Sequence, residues 1–393
     1  MKKTLLRTIS CLLTLTLLLC GLSSCTAWDN FYNAFIHKKP QEDKLIRIAV
    51  FEPLTGEYAS AAADEIAGIE LAQKLFPTVL DSTVELVYFD NKSNPDTAKH
   101  LAEEIAGDET IKLVLGSYGN TMTVAAGDIF EEAGLPAIAI TCTNPLITNT
   151  NTNYARVSPV DSFEALGAAE FLAVNLGITN ACALYQAGND LSRTRAEAFV
   201  SAFSKYKGNE TPSLYAISFA EGESYDALFE EIEAAGAKAI YFPSDPELAK
   251  GLIAETQTLG FSFEWVGSSL WARSGIQNSY YTIDYDPYET LSSMTQTFLR
   301  SYREKYGRDE TPSYETALGF DAYLLALAAI REAESADDRA AVLSSLYAIN
   351  GLSGATGTIT MSPSGDPIKS ILIESITGSV EAPIASVLPS SGK

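Results

Sequence analysis

Two short stretches of the chain carry polar, uncharged side chains in an arrangement that can grip a small molecule. Gly116-Ser117-Tyr118-Gly119-Asn120-Thr121 and Thr141-Cys142-Thr143-Asn144-Pro145 each follow an apolar, β-branched run, IKLVL and LPAIAI. The first stretch also starts a helical segment, whose free N–H groups and positive dipole suit a carboxylate. Read singly, Asn120 caps a helix and Thr143-Asn144-Pro145 turns the chain. Read together, on neighbouring strand ends, they point to a ligand site, because open α/β sheets bind ligands at the carboxyl edge of their strands.

Covalent chemistry has no such support. The chain has no GxSxG, Walker, GxGxxG or HExxH sequence. Its two histidines are His37 and His100, and His100 sits in a helix opened by Asn94-Pro95, badly placed to act as a base. Asp90-Asn91-Lys92-Ser93-Asn94 begins like a calcium loop, but Lys92 stands at a ligand position and Pro95 where the loop needs glycine. Adjacent acids such as Glu103-Glu104 and Glu131-Glu132 point apart on helices. Of five cysteines, Cys142 and Cys182 lie in the body, without a CxxC, and are expected as free buried thiols. Neither a metal site nor a cofactor is expected.

The elements that must position the two stretches alternate regularly. IRIAVF (46–51), VELVYFD (84–90), IKLVLGS (111–117) and LPAIAIT (135–141) read as four strands. After a pause over 142–161 come NACALYQ (180–186), SLYAISF (213–219), AKAIYFP (237–243) and FEWVGSS (263–269). Helical segments separate them, and Gly107, Gly134, Gly177, Gly236 and Gly260 stand where helices end. Continuous apolar strands joined by helices mean parallel sheets covered on both faces. The expected fold is therefore α/β with two similar lobes. Residues 288–351 read as three helices returning to one of them. Two short strands, GTITM (357–361) and KSILIESI (369–376), close the body.

At 393 residues, 46% hydrophobic and 20% charged, the chain has an ordinary globular composition. Its formal charge is −23, and removing Lys2, Lys3 and Arg7 of the basic start leaves −26 on the rest. So acidic a chain does not suit nucleic acid as a partner. Residues 1–24 have the basic start, apolar core and small-residue end of a secretory signal, and Leu22-Ser23-Ser24-Cys25 resembles the bacterial lipoprotein box. Cys25 is thus the expected lipidation site, residues 25–44 a tether, and the body extracytoplasmic.

A wider resemblance covers nearly all of residues 45–376. Pro53-Leu54-Thr55-Gly56, Gly68-Ile69-Glu70-Leu71-Ala72, Asp90, Leu115-Gly116, Glu132-Ala133-Gly134-Leu135-Pro136, Thr143-Asn144-Pro145-Leu146, Tyr154-Ala155-Arg156 with Asp161, Pro312-Ser313-Tyr314, Gly319-Phe320-Asp321-Ala322, Gly354-Ala355-Thr356-Gly357 and Gly365-Asp366 follow one another as in the type I periplasmic binding proteins. The branch it resembles feeds branched-chain amino acids and amides to ABC importers. The resemblance implies two Rossmann-like lobes with parallel sheets, joined by three crossovers and closing on a ligand. The expected division is 45–159 plus 287–355 for the first lobe and 160–286 plus 356–386 for the second. It also implies a carboxylate grip on Asn120, Thr121 and Thr143, with the Thr141 carbonyl facing an ammonium.

The chain departs from that pattern at three places, one of them on or near Asp190, in the loop after Tyr185, where an aromatic residue is common. An amide, Asn120, stands where serine is usual. The acid that commonly pairs with the ammonium falls on Ser269, in Gly267-Ser268-Ser269-Leu270-Trp271, and Trp271 joins the expected ligand contacts. Asp190 and Asp245 are the candidates to supply the charge, and either one can instead cap a helix. The resemblance implies a monomeric, lipid-anchored receptor for an amino acid or similar small polar metabolite, working with an ABC permease and ATPase. A sensor feeding a membrane signalling protein, and an exported hydrolase, are the rival readings.

Overall fold

The computed structural model describes residues 44–160, 162–206, 212–217, 224–287, 292–377 and 380–388. The leader, Cys25 and the tether up to residue 43 lie outside the described residues, as does Asp161.

The first lobe is built on a six-stranded sheet. Its strands are β1 (Leu45–Glu52), β2 (Thr78–Val79), β3 (Ser82–Asp90), β4 (Ile111–Leu115), β5 (Ala137–Ala139) and β6 (Tyr154–Arg156), in the order β2-β3-β1-β4-β5-β6. Only the β2–β3 pair is antiparallel. The helices α1 (Ala59–Leu75), α2 (Pro95–Gly107), α3 (Asn120–Glu132) and the single turn α4 (Leu146–Asn149) connect these strands. Ile48 to Phe51 in β1 are all wholly buried, as a strand covered on both faces requires. Asn94 caps α2 by accepting the Thr97 N–H at 2.9 Å, with Pro95 in the first turn.

The second lobe has a seven-stranded sheet of order β16-β15-β11-β10-β9-β7-β8. Its parallel part comprises β7 (Ala181–Gln186), β8 (Ser213–Ile217), β9 (Ala239–Tyr241), β10 (Glu264–Gly267) and β11 (Ser279–Ile283). The helices around it are α5 (Phe163–Glu170), which runs into a π turn over Phe171–Asn175, then α6 (Asp190–Phe203), α7 (Asp226–Ala234) and α8 (Pro246–Leu259). Gly134, Gly177, Gly236 and Gly260 take positive φ where the reading placed helix ends. Gly107 does not, since it is the last helical residue of α2.

Three helices then return to the first lobe: α9 (Ser293–Tyr306), α10 (Tyr314–Glu332) and α11 (Arg339–Ala348). Every residue of α10 from Thr316 to Ile330 is buried. It packs against α1 so closely that a Cβ on Gly68 would lie 1.9 Å from the Thr316 carbonyl oxygen, and one on Gly319 2.0 Å from that of Glu65. Those two glycines are therefore fixed by backbone contact.

The tail departs from expectation. β12 (Leu352–Gly354), β13 (Gly357–Met361) and β14 (Pro367–Ile368) form a small antiparallel sheet, and Leu352, Ala355, Ile359 and Met361 are buried in the first lobe's core. Residues 356–368 thus pack with the first lobe, and the chain crosses at Lys369, not at 356. β15 (Ile371–Thr377) and β16 (Val380–Val387) then extend the second sheet antiparallel to β11.

One buried lysine ties these crossings together. Lys369 Nζ donates to the Val157 carbonyl at 3.2 Å and to the Thr356 hydroxyl, and lies 3.9 Å from Asp321. Asp321 in turn accepts from the Ala355 N–H, the Thr356 N–H at 3.0 Å and the Thr356 hydroxyl at 2.5 Å. Burial pulls the Lys369 pKa down, and Asp321 with Asp284 of the second crossing works against that loss of charge.

Candidate functional site

The carboxyl edge of the first sheet brings the two polar stretches side by side. Asn120, the first residue of α3, accepts the Asn144 N–H on its Oδ1 at 3.1 Å. The amide that replaces the usual serine therefore laces one strand end to the next. Below it, the Thr123 hydroxyl reaches the Ser117 and Gly119 carbonyls, both at 2.9 Å, and lies 3.1 Å from Cys142 Sγ. Ser158 both accepts the Cys142 N–H at 3.1 Å and donates to its carbonyl at 2.9 Å. Wholly buried Arg156 donates to the Cys142 and Asn144 carbonyls at 3.1 and 2.8 Å and pairs with Asp366 at 2.6 Å. On this braced edge Thr121 is exposed and Thr143 half-buried, and neither hydroxyl is bonded among the described residues.

Two acids under the same edge escaped the sequence reading. Glu52 at the end of β1 and Glu65 in α1 are wholly buried. Glu52 Oε2 accepts the Tyr118 N–H at 2.6 Å, and Glu65 Oε1 accepts the Thr141 N–H at 3.2 Å. Burial pushes the Glu65 carboxyl up to about 7, and burial plus the charge of Glu65 raises Glu52 well above its usual range. One proton shared between the two carboxyls satisfies both. Neither is legible from periodicity, since an acid inside an apolar strand or helix resembles any solvated position until its neighbours are known.

The second lobe rearranges the expected contacts. Asp190 begins α6, pairs with Arg193 at 3.2 Å and leaves 92% of its side chain exposed. Asp245 caps α8, accepting the Glu247 and Leu248 N–H groups at 2.8 and 3.3 Å. Trp271 needs correction as a ligand contact. Its ring is wholly buried in the lobe core, and its indole N–H donates to the Ser244 carbonyl at 3.0 Å. Ser269 meets an acid after all, because Glu164 of α5 accepts the Ser269 N–H at 2.8 Å, its hydroxyl at 2.7 Å and the Thr282 hydroxyl at 3.1 Å. Arg195 lies 3.9 Å from the same carboxylate.

The family described as periplasmic binding protein matches residues 45–371 of the sequence. The chain belongs to the type I periplasmic binding proteins. Members of this family bind solutes and are not enzymes. A Leu/Ile/Val-binding protein homolog from Brucella melitensis is 26% identical over 334 residues, which is 82% of this chain and 88% of the relative. The solved leucine-binding protein of Thermotoga maritima is 26% identical, with a TM-score of 0.62 over 88% of this chain and 99% of that one. An ABC transporter substrate-binding protein from Desulfitobacterium hafniense, solved with Leu, has a TM-score of 0.67 at 20% identity over 87% and 100% of the two chains. That last likeness bears on the fold alone. Among the described residues of this binding protein, no His, Cys, Asp and Glu cluster can hold a metal ion, and Cys142 and Cys182 are free and buried. Nor is any described helix long and apolar enough to cross a membrane.

Proposed function

We propose that this binding protein is the receptor of an ABC importer, taking an amino acid or a similarly small polar metabolite between its lobes. The observation that carries the reading is the braced edge of the first lobe. There two unbonded hydroxyls, Thr121 and Thr143, flank the start of a 13-residue helix laced to its neighbour through Asn120. A helix start and hydroxyl donors suit a carboxylate, and three crossings suit a hinge. Ser269 stands as the contact from the second lobe, held in place by Glu164. Asp245, as a helix cap, is withdrawn from the ligand set, and Asp190 stays at the surface.

In this reading the leader is cleaved, Cys25 carries lipid, and the monomeric body faces the permease and ATPase complex from outside the cytoplasmic membrane. One acyl chain gives only marginal attachment, so the anchor carries more than one. The decisive experiment is a thermal-shift screen over amino acids, amides and small acids, joined to labelling with a fatty-acid probe. A ligand that raises the melting temperature, with labelling lost in Cys25→Ala, supports the reading. No stabilisation by any class refutes the receptor claim, and labelling of the Ala variant refutes the anchor.

A further inference from the structure

Two tyrosines stand at the braced edge with rings that take no part in its bonding. Tyr58, just before α1, and Tyr118, two residues before Asn120, place their ring centroids 6.1 Å apart with planes inclined by 38°. Tyr58 is 39% exposed and Tyr118 is partly so. Both are fixed through their backbones. The Tyr58 N–H donates to Ser93 Oγ at 2.9 Å, and the Tyr118 N–H to the buried Glu52 carboxyl at 2.6 Å. The pair is therefore held in place before any ligand arrives.

Acids act on the Tyr118 phenol. Burial, then Glu315 of α10, Glu65 and Asp64 of α1 hold its pKa above the usual value. Glu52 and Glu65, wholly buried beneath, share a proton and together leave at most one negative charge under this edge. Tyrosine faces carry negative quadrupole potential, and carboxylates around them deepen it. A branched aliphatic side chain gains nothing from that field, and an anionic one is repelled by it. An ammonium or trimethylammonium group is stabilised by both components.

We propose that Tyr58 and Tyr118 form a subsite for a cationic nitrogen, so that the solute is a small amine-bearing or quaternary ammonium compound and not a branched-chain amino acid. The proposal rests on the receptor reading above and narrows its ligand class. The cationic end packs on the two rings, while a carboxylate, where the solute has one, lies at Thr121 and Thr143.

Titration calorimetry of the full chain tests this with L-arginine, putrescine and glycine betaine against L-leucine and L-glutamate. At least one cationic probe should bind ten times more tightly than leucine or glutamate. Tyr58→Leu should then weaken that probe about fivefold or more, within the range of a cation–π contact, while Tyr58→Phe keeps it within twofold. Glu315→Gln should weaken it about threefold with an unchanged melting temperature, a second route should the Leu variant fold poorly. Leucine binding as tightly as every cationic probe overturns the subsite and leaves the receptor reading standing. So does cation affinity that is indifferent to both Tyr58→Leu and Glu315→Gln. Failure of all five probes to bind overturns the amino-compound receptor itself.

Discussion

At the scale of single residues, the pair Glu52–Glu65 makes a pH signature that the surface acids do not. Glu65 titrates at about 7 in the fold against 4.5 when exposed. A raised carboxyl stabilises the fold fully below pH 4.5, and that contribution is lost as pH rises through about 7. Glu65→Gln removes the titration, so the variant should be more stable than the parent at pH 8, by up to about 3 kcal/mol, with the gap closing towards pH 4.5. Melting temperatures across that range check it, and a constant gap contradicts it. Thr143 tests the ligand edge instead. Charge-assisted bonds to a carboxylate contribute roughly 1.5–3 kcal/mol, so Thr143→Val should weaken binding about tenfold or more and leave melting unchanged. Binding as tight as the parent's would remove the proposed grip.

At the scale of elements, the periodicity of the chain foretells the alternating strands and helices, the three returning helices and the Asn94-Pro95 helix start. It misses β11, whose SYYTI mixes buried Ser279 and Thr282 with tyrosines. It also places the last crossing too early, because GTITM reads as a strand in either lobe and only its packing among α9, α10 and α11 decides which. The proposed site at Asn120, Thr121, Thr141 and Thr143 is read from polar residues that follow apolar strands, and the structure sets those strand ends side by side. Partners distant in sequence, such as Glu164 at Ser269 across 105 residues, leave no local signal. Asp245 shows the same limit from the other side, since only its bonds to Glu247 and Leu248 identify it as a cap. Asp245→Ala should cost about 1 kcal/mol of stability and leave ligand affinity within twofold, read by denaturant melts and calorimetry. A large affinity loss at unchanged stability would return Asp245 to the ligand set.

At the scale of the molecule, three segments cross between the lobes, and Lys369, which lies in the last of them, bonds to Val157 beside the first and to Thr356 of the first lobe. Its charge also acts on Asp284 of the second. Removing that hub leaves Asp321 and Asp284 as buried acids without their cation, which is costly. Lys369→Met should therefore both lower the melting temperature by several degrees and broaden the range of lobe separations seen by paired fluorophores, with Lys369→Arg restoring part of each. A lower melting temperature with an unchanged distribution would make Lys369 a packing residue only.

The central claim is that a solute closes these lobes without being transformed. Small-angle scattering of the ligand-free protein and of the protein saturated with its tightest-binding solute measures this directly. The radius of gyration should fall on saturation, stability should rise by about 2.7 kcal/mol at a hundred times Kd, and the solute should be recovered intact. A saturated protein with an unchanged scattering curve, or recovery of a chemically altered solute, would contradict the account.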